Sequence, residues 1–303
     1  MSIKIIKPGI LTTIQDTGRY GHMHLGISVS GALDEYSYQL GNFILNNPSD
    51  SASIEVTYGD FSFLSLDVMH ICVTGAETEI SINNQPNHLN KVITLNQGDI
   101  FEIKCPKKAI RNYVCIKGGI DSEIFYNSRS CNVREAIGKK ITKDQVIKTF
   151  RVDNDNLNSI DPSLAPKYEN DLITLRVLPT YQFHEFSDND KDLFFSQVYS
   201  ISKDFDRTGV RLNGGKMIDV MKGVISEGSA VGSIEITPKG LPIILMRDAP
   251  TIGGYPKIGT VFSLDVPYLA QSGYGQRIRF ELMKYVEAES ERRSFNDLFG
   301  IEA

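Results

Sequence analysis

Short apolar or alternating runs recur along the chain between turn signals. They are Met69–Gly75 (MHICVTG), Lys91–Leu95 (KVITL), Ile100–Lys104 (IFEIK), Asn112–Lys117 (NYVCIK), Leu172–Leu178 (LITLRVL), Ile243–Met246 (IILM) and Arg277–Leu282 (RIRFEL). Each has strand length, is rich in β-branched residues and is closed by Gly, Pro or Asn, which predicts β-strands. A helical period is rarer. Asp34–Asn46 puts Tyr36, Leu40, Phe43 and Ile44 on one face and stops at Asn46-Asn47-Pro48. Ser187, with Asp190 three residues on, opens a second helix over Asp188–Tyr199 with a capping-box pattern. Glu287–Phe299 adds a charged tail helix. The pattern is that of a mainly β protein with a few helices.

The periodicity weakens across Arg151–Asp171 (RVDNDNLNSIDPSLAPKYEND), where Asp, Asn and Pro replace apolar residues. This reads as a linker between halves of similar size, an N-terminal domain over 1–160 and a C-terminal one over 170–303. LNQGDIFEI (Leu95–Ile103) and QSGYGQRIRFEL (Gln271–Leu282) each put a glycine turn before a closing strand, a faint internal echo.

Composition narrows the function classes. The 303 residues carry 32 Lys+Arg against 37 Asp+Glu, a net charge of −5, so no clustered positive surface for nucleic acid is expected. Cys72, Cys105, Cys115 and Cys131 form no CxxC pair, and they read as reduced thiols of a cytoplasmic protein. MSIKIIKPG lacks the apolar core of a signal peptide, and no run is long enough to span a bilayer.

Four motif-like stretches fail on their chemistry. His22-Met23-His24 lacks the glycine and carboxylate that would complete a cupin metal site, so no metal is expected. Gly26-Ile27-Ser28-Val29-Ser30 lacks the closing glycine of a nucleophile elbow, and Ser30 reads as the cap of the helix beginning near Asp34. Gly214-Gly215-Lys216-Met217 lacks the upstream glycine and the hydroxyl residue of a P-loop. Met221-Lys222 and Met283-Lys284 lack the second flanking methionine of a biotinylated lysine, so no covalent biotin is expected.

Three segments are dense in polar groups that turns alone do not require. Thr13–Asp34 carries Gln15, Asp16, Arg19 and Asp34 among four glycines. Asp204–Gly215 (DFDRTGVRLNGG) carries Asp206, Arg207 and Arg211. Pro242–Gly259 (PIILMRDAPTIGGYPKIG) runs from an apolar strand into Asp248, Thr251, Gly253, Gly254 and Tyr255. A strand that delivers charged groups to its end, beside a double glycine, is a common way to build a site on a β scaffold. Salt-bridged turns are the plainer alternative, with Asp16–Arg19 and Asp206–Arg207 as local pairs.

TIQDTGRYG, SGALD, IEVTYGDFSF, VTGAE, IKGGID and NSRS, then DRTGVRL, SEGSAVGSIEI, GLPIILMRD, TIGGYPKIGTV and LAQSGYGQRIRF, together resemble the allophanate hydrolase subunit 2 family, in the family's order from about Pro8 to Phe280. The family includes the C subunit of bacterial 5-oxoprolinase, the KipA regulator and the carboxyltransferase region of urea carboxylase. The resemblance implies two cyclophilin-like β-barrel domains, strand-exchanged or not, with a cleft between them.

It also implies chemistry on a planar N–C=O group. Attack there must overcome amide resonance, so the site has to polarise the oxygen and hold the nitrogen. Arg19, Arg207, Arg211 or the backbone N–H groups at Gly253-Gly254 would steady the developing charge. Asp16, Asp34, Asp206 or Asp248 would accept an N–H or act as base, with Gln15, Thr251 and Tyr255 orienting the substrate. The function implied first is that of a C-subunit-like part of an ATP-dependent 5-oxoprolinase. It would work with a KipI-like B subunit and a LamB/YcsF-like third component, binding ATP without a P-loop. The alternatives are a biotin-dependent carboxyltransferase for a urea-type amide and a non-catalytic regulator that binds a histidine-kinase inhibitor. The chain departs from the family pattern at Phe205, Thr208, Glu235 (where Gln is expected), Leu241, Arg247, Ala249 and Pro250.

Overall fold

The computed structural model describes residues 1–152, 156–168, 171–214 and 224–301. The chain divides into two compact units. One comprises Met1–Tyr20, Ser30–Glu169 and Phe299–Ala303, the other Gly21–Val29 and Asn170–Leu298.

In the first unit a seven-stranded sheet runs in the order Ile120–Asp121, Val146–Thr149, Ser2–Pro8, Phe61–Ser65, Ile100–Ile103, Ile80–Ile82, Gln85–Asn87. A five-stranded sheet runs Leu11–Gln15, Ser53–Thr57, Arg111–Ile116, Met69–Gly75, Val92–Leu95. Alternation decides which side chains go inward: Ile3 and Ile5 are buried while Ser2 and Lys4 beside them are only partly so. They join Phe61, Phe63 and Phe101 from their own sheet, and Ile54, Val56, Ile71 and Val114 from the other, in one apolar core.

Ser53–Thr57 and Arg111–Ile116 are buried at every position. For Arg111–Ile116 burial on both faces has a cause, because helix Glu35–Ile44 lies against this strand and Met69–Gly75. Gly41 sets the spacing. A Cβ there would stand 2.6 Å from Cys115 Sγ, so a larger residue could not approach so closely.

The cap of this helix is Asp34, whose Oδ1 accepts from Ser37 N at 2.9 Å, and not Ser30 as the sequence suggests. Ser30 is too far ahead of the first turn to reach its amides. It sits instead at φ 56° and receives a hydrogen bond from Asn132 Nδ2 at 3.2 Å. The polar stretch that reads as a linker is, over 156–168, strapped to the same helix. Asn158 donates from its backbone to Ile44 O (2.9 Å) and from its side chain to Phe43 O (2.7 Å), satisfying carbonyls at the helix end.

The second unit is a closed barrel in the order Leu172–Pro179, Lys257–Val261, Ser233–Ile236, Pro242–Leu245, Gly209–Asn213, Tyr199–Phe205, Arg277–Leu282. Six seams are antiparallel. Seven is odd, so one seam has to be parallel, and it joins the first strand to the last, Leu172↔Arg277 through Val177↔Leu282. Helix Asp188–Ser196 packs on the barrel through Phe194, stacked on Phe280 at 4.5 Å. Ser187 caps it as its sequence predicts, accepting from Asp190 N at 3.1 Å. The helix is three residues shorter than predicted, because Gln197 turns extended and Tyr199 begins a strand. Gly98 and Gly275, one glycine from each stretch of the internal echo, both adopt left-handed φ (93° and 82°) just before their strands.

Candidate functional site

In the first unit the strand Leu11–Gln15 delivers Gln15 and Asp16 to a buried polar cluster. Asp16 Oδ1 accepts from Gly18 N (2.8 Å), Ser128 Oγ (2.7 Å) and Ser130 Oγ, and its Oδ2 accepts from Arg129 N (2.6 Å). Arg19, fully buried, donates from Nη2 to Ser130 O. Gln15 Nε2 donates to Cys131 O at 2.9 Å. Three residues of the opening segment thus grip one loop, 128–131.

Asp34 belongs to a different network. Its Oδ1 serves the helix cap and its Oδ2 accepts from Tyr168 OH (2.7 Å), with no exposed surface. Tyr113 OH donates to Glu55 Oε2 (2.7 Å), and burial pushes the Tyr113 and Tyr168 phenols well up. These groups tie helix, sheet and strap together.

In the second unit Arg207 and Asp248 form a forked pair, Nε–Oδ2 2.8 Å and Nη2–Oδ1 3.1 Å, both nearly buried. Asp248 N donates to Arg207 O (2.8 Å), so backbone and side chains lock the two loops together. Ser28 Oγ donates to Ala249 O (2.8 Å), which holds Gly21–Val29 against the same turn. Asp206 accepts from Thr208 N (2.7 Å) and Gly209 N (3.2 Å), an Asx turn.

A second cluster surrounds Lys257, which is 4% exposed. Its Nζ lies 2.7 Å from Glu227 Oε1 and 3.0 Å from Gly228 O. Gln182 Nε2 (3.2 Å) and Tyr181 OH also donate to Glu227, and Lys257 N donates to Gln182 Oε1 (2.6 Å). The ribbon of Glu227–Gly228 with Ile252–Gly253 frames the cluster, and Ser229 N donates to Thr251 O at 2.9 Å. Glu235, the register partner of Lys257, completes it. Its Oε1 and Ser229 Oγ are both buried and packed against Gly253. Burial pushes the Glu235 carboxyl up, with Glu227 adding to the rise and Lys257 and Ser229 opposing it.

Residues 25–282 match the family model of the carboxyltransferase domain, subdomain A and B. The chain belongs to this family. It is 32% identical to the C subunit of 5-oxoprolinase from Haemophilus influenzae, covering 95% of this chain and 93% of that one. It is 29% identical to the C subunit of 5-oxoprolinase from Escherichia coli, covering 98% and 97%. Among solved structures, Kluyveromyces lactis urea carboxylase superposes with a TM-score of 0.89 at 23% identity, over 99% of this chain. The chain spans only 29% of that protein, and the likeness is one of fold.

Of the residues singled out in the sequence, the second unit brings together Arg207 with Asp248, and Thr251 and Gly253 with the Lys257 cluster. Arg211 is exposed on its strand, Gly254 is partly buried and Tyr255 is 39% exposed. In the first unit Gln15, Asp16 and Arg19 share the 128–131 loop, and Asp34 stands in the helix-cap network. Lys257, Glu227, Gln182, Ser128 and Ser130 were not singled out. The sequence signal for Lys257 is a lysine in a strand whose other residues are apolar or small, KIGTV. Among the described residues no group of three or more His, Cys, Asp or Glu is placed to hold a metal ion. Gly215, Lys216 and Met217 of the P-loop-like stretch, and Met221, Lys222 and Gly223, lie outside the described residues.

Proposed function

We propose that this protein is the C-subunit-like component of an ATP-dependent 5-oxoprolinase that opens the lactam of 5-oxoproline to L-glutamate. It would do so in the cytoplasm with a KipI-like B subunit and a LamB/YcsF-like third component. One observation carries the reading: the relatives named as the C subunit of 5-oxoprolinase match from end to end in both chains.

The Lys257 cluster suits the chemistry. A lactam offers a C=O to polarise and an N–H to hold, and a nearly buried ammonium acts strongly on a carbonyl oxygen when water is excluded. The backbone at Gly253 and Gly254 and the Thr251 hydroxyl supply further hydrogen bonds, and Tyr255 gives a ring face against which the lactam plane can rest. Arg211, exposed on the barrel, is suited to the substrate carboxylate. In this reading the Arg207–Asp248 pair fixes the loop that leads to Thr251. Asp206 shapes the neighbouring turn, and Asp16, Arg19 and Gln15 shape the 128–131 loop. Arg207 and Lys257 are both matched by carboxylates, a donor set better suited to a neutral amide than to a triphosphate. ATP therefore enters through the assembled complex.

The test is glutamate formation from 5-oxoproline and ATP, with the protein alone and then with its partner subunits. Glutamate is expected only in the full mixture, and Lys257→Met is expected to lower turnover at least 100-fold with the complex intact. The family description favours one second reading, transfer of a carboxyl group from carrier-borne biotin to a urea-type amide. A stable complex without glutamate, but with carboxylation of such an amide, would establish it instead.

A further inference from the structure

In the first unit Gly75 is paired with Asn112 and Ile80 with Ile103, so the short run 76–79 has to face the much longer run 104–111. Both ends are stitched. Ala76 N donates to Arg111 O (2.8 Å) at one end and Lys104 N to Glu79 O (2.9 Å) at the other, where Thr78 Oγ1 also donates to Lys104 O (2.7 Å). Two runs of unequal length pinned at both ends cannot lie flat together, so the longer one bows out. Pro106 stiffens the bow, and Ala109, at φ 60°, turns it back. The space beneath is a cavity of about 340 Å³, partly open to solvent, a size that suits a small metabolite.

The charges of its lining are sorted by wall. The short run contributes Glu77 and Glu79, and the bowed run contributes lysines. Lys104 is held by Glu102 at 2.9 Å, and Lys107 and Lys108 lie further round the bow. A purely anionic or purely cationic guest is repelled by one of these walls, whereas a guest that carries both signs is matched by each. We propose that this cavity binds an acidic α-amino acid, its ammonium toward Glu77 and Glu79 and its two carboxylates toward Lys107 and Lys108.

The binding site stands on this geometry, and its use deepens the lactam reading above and rests on it. Opening the lactam of 5-oxoproline creates an ammonium and a second carboxylate where the ring had no charge. The product, L-glutamate, is therefore complementary to both walls, and the substrate, with its single carboxylate, to only one. The cavity holds product and passes over substrate, which makes it a product sensor in the first unit, while the Lys257 cluster belongs to the second. It also carries its own reporter. Cys105 stands in the lining and is the one exposed cysteine, Cys72, Cys115 and Cys131 being buried, so an occupant shields its thiol.

The experiment follows alkylation of Cys105 by iodoacetamide in the full chain, read from the mass of its peptide. Ion pairs at an exposed site are individually weak, so the expected Kd for L-glutamate is about 3 mM. Sodium L-glutamate at about 30 mM should then slow alkylation about tenfold. At the same concentration sodium chloride, 5-oxoproline and glutarate, which has both carboxylates but no ammonium, should leave it nearly unchanged. Glu77→Gln and Lys107→Gln, both at exposed positions where the fold tolerates change, should each remove most of the protection. Alkylation unaffected by L-glutamate, or slowed equally by glutarate or sodium chloride, would overturn the site. In the assembled complex, added L-glutamate should lower turnover without raising KM for 5-oxoproline, and Lys107→Gln should need about tenfold more of it for the same inhibition. Inhibition that only raises KM, or that is unchanged in Lys107→Gln, would overturn the sensing role. Protection of Cys105 by L-glutamate with no turnover of 5-oxoproline would uphold the amino-acid site and remove the lactam reading.

Discussion

Replacing Arg207 by Ala strands the Asp248 carboxylate in a site that is 4% exposed. Breaking one side of such a pair costs about 3–5 kcal/mol, whereas replacing both partners by apolar residues is often far milder. Arg207→Ala is therefore expected to lower stability by that amount in chemical denaturation, and Arg207→Met with Asp248→Leu to recover most of it. An Arg207 that served only substrate would show no such recovery. The residues here differ in how openly the sequence announced them. Asp16, Arg207 and Asp248 stood out because charges cluster around glycines. Asp34 looked the same, yet its carboxylate holds a helix cap and Tyr168, a distinction set by a residue 134 positions away. Lys257 was quiet because a charged residue in an apolar strand gains its meaning only from what lies across the barrel.

At the scale of elements, alternation revealed most strands and the Ser187 cap revealed a helix start. Pairing order was not legible, because it depends on turns and on partners distant in sequence. The seam between Leu172–Val177 and Arg277–Leu282 joins residues more than 100 positions apart and leaves no local mark. The tie between 156–168 and helix Glu35–Ile44 was hidden for a related reason: Asn and Tyr look polar in a sequence but satisfy a helix end in the fold. Gly41 shows how an element's packing reverses a local preference. Within an exposed helix, Gly to Ala gains about 1 kcal/mol. Here the new methyl would meet Cys115 Sγ, whose thiol burial pushes up to about 12 and so keeps as a neutral packing group. Gly41→Ala is expected to destabilise by about 1–3 kcal/mol, with Cys115→Gly in the same chain restoring much of the loss. Equal effects in both backgrounds would show that the contact does not limit packing.

At the scale of the molecule, the two units are not two consecutive lengths of chain. Residues 21–29 are grouped with the barrel unit and the last five with the other. The final barrel strand has partners on both sides, Leu172–Pro179 and Tyr199–Phe205. Ending the chain at Gln276 would leave two long open edges on the remaining sheet. That truncation is expected to make 171–276 and the 21–29 segment grouped with it sensitive to protease, with peptides mapped by mass, while 30–152 stays protected. Protection of both would mean that the barrel tolerates an open seam.

The parallel seam also sets how the barrel bears load. In a parallel pair the leading end of one strand and the trailing end of the other lie at opposite ends of the ladder. A pull applied at Leu172 and at Leu282 therefore runs along the strands. All six paired positions would resist together in shear, whereas an antiparallel hairpin pulled at its ends peels one bond at a time. Under tension from its two ends, this barrel resists at the seam where its first and last strands meet.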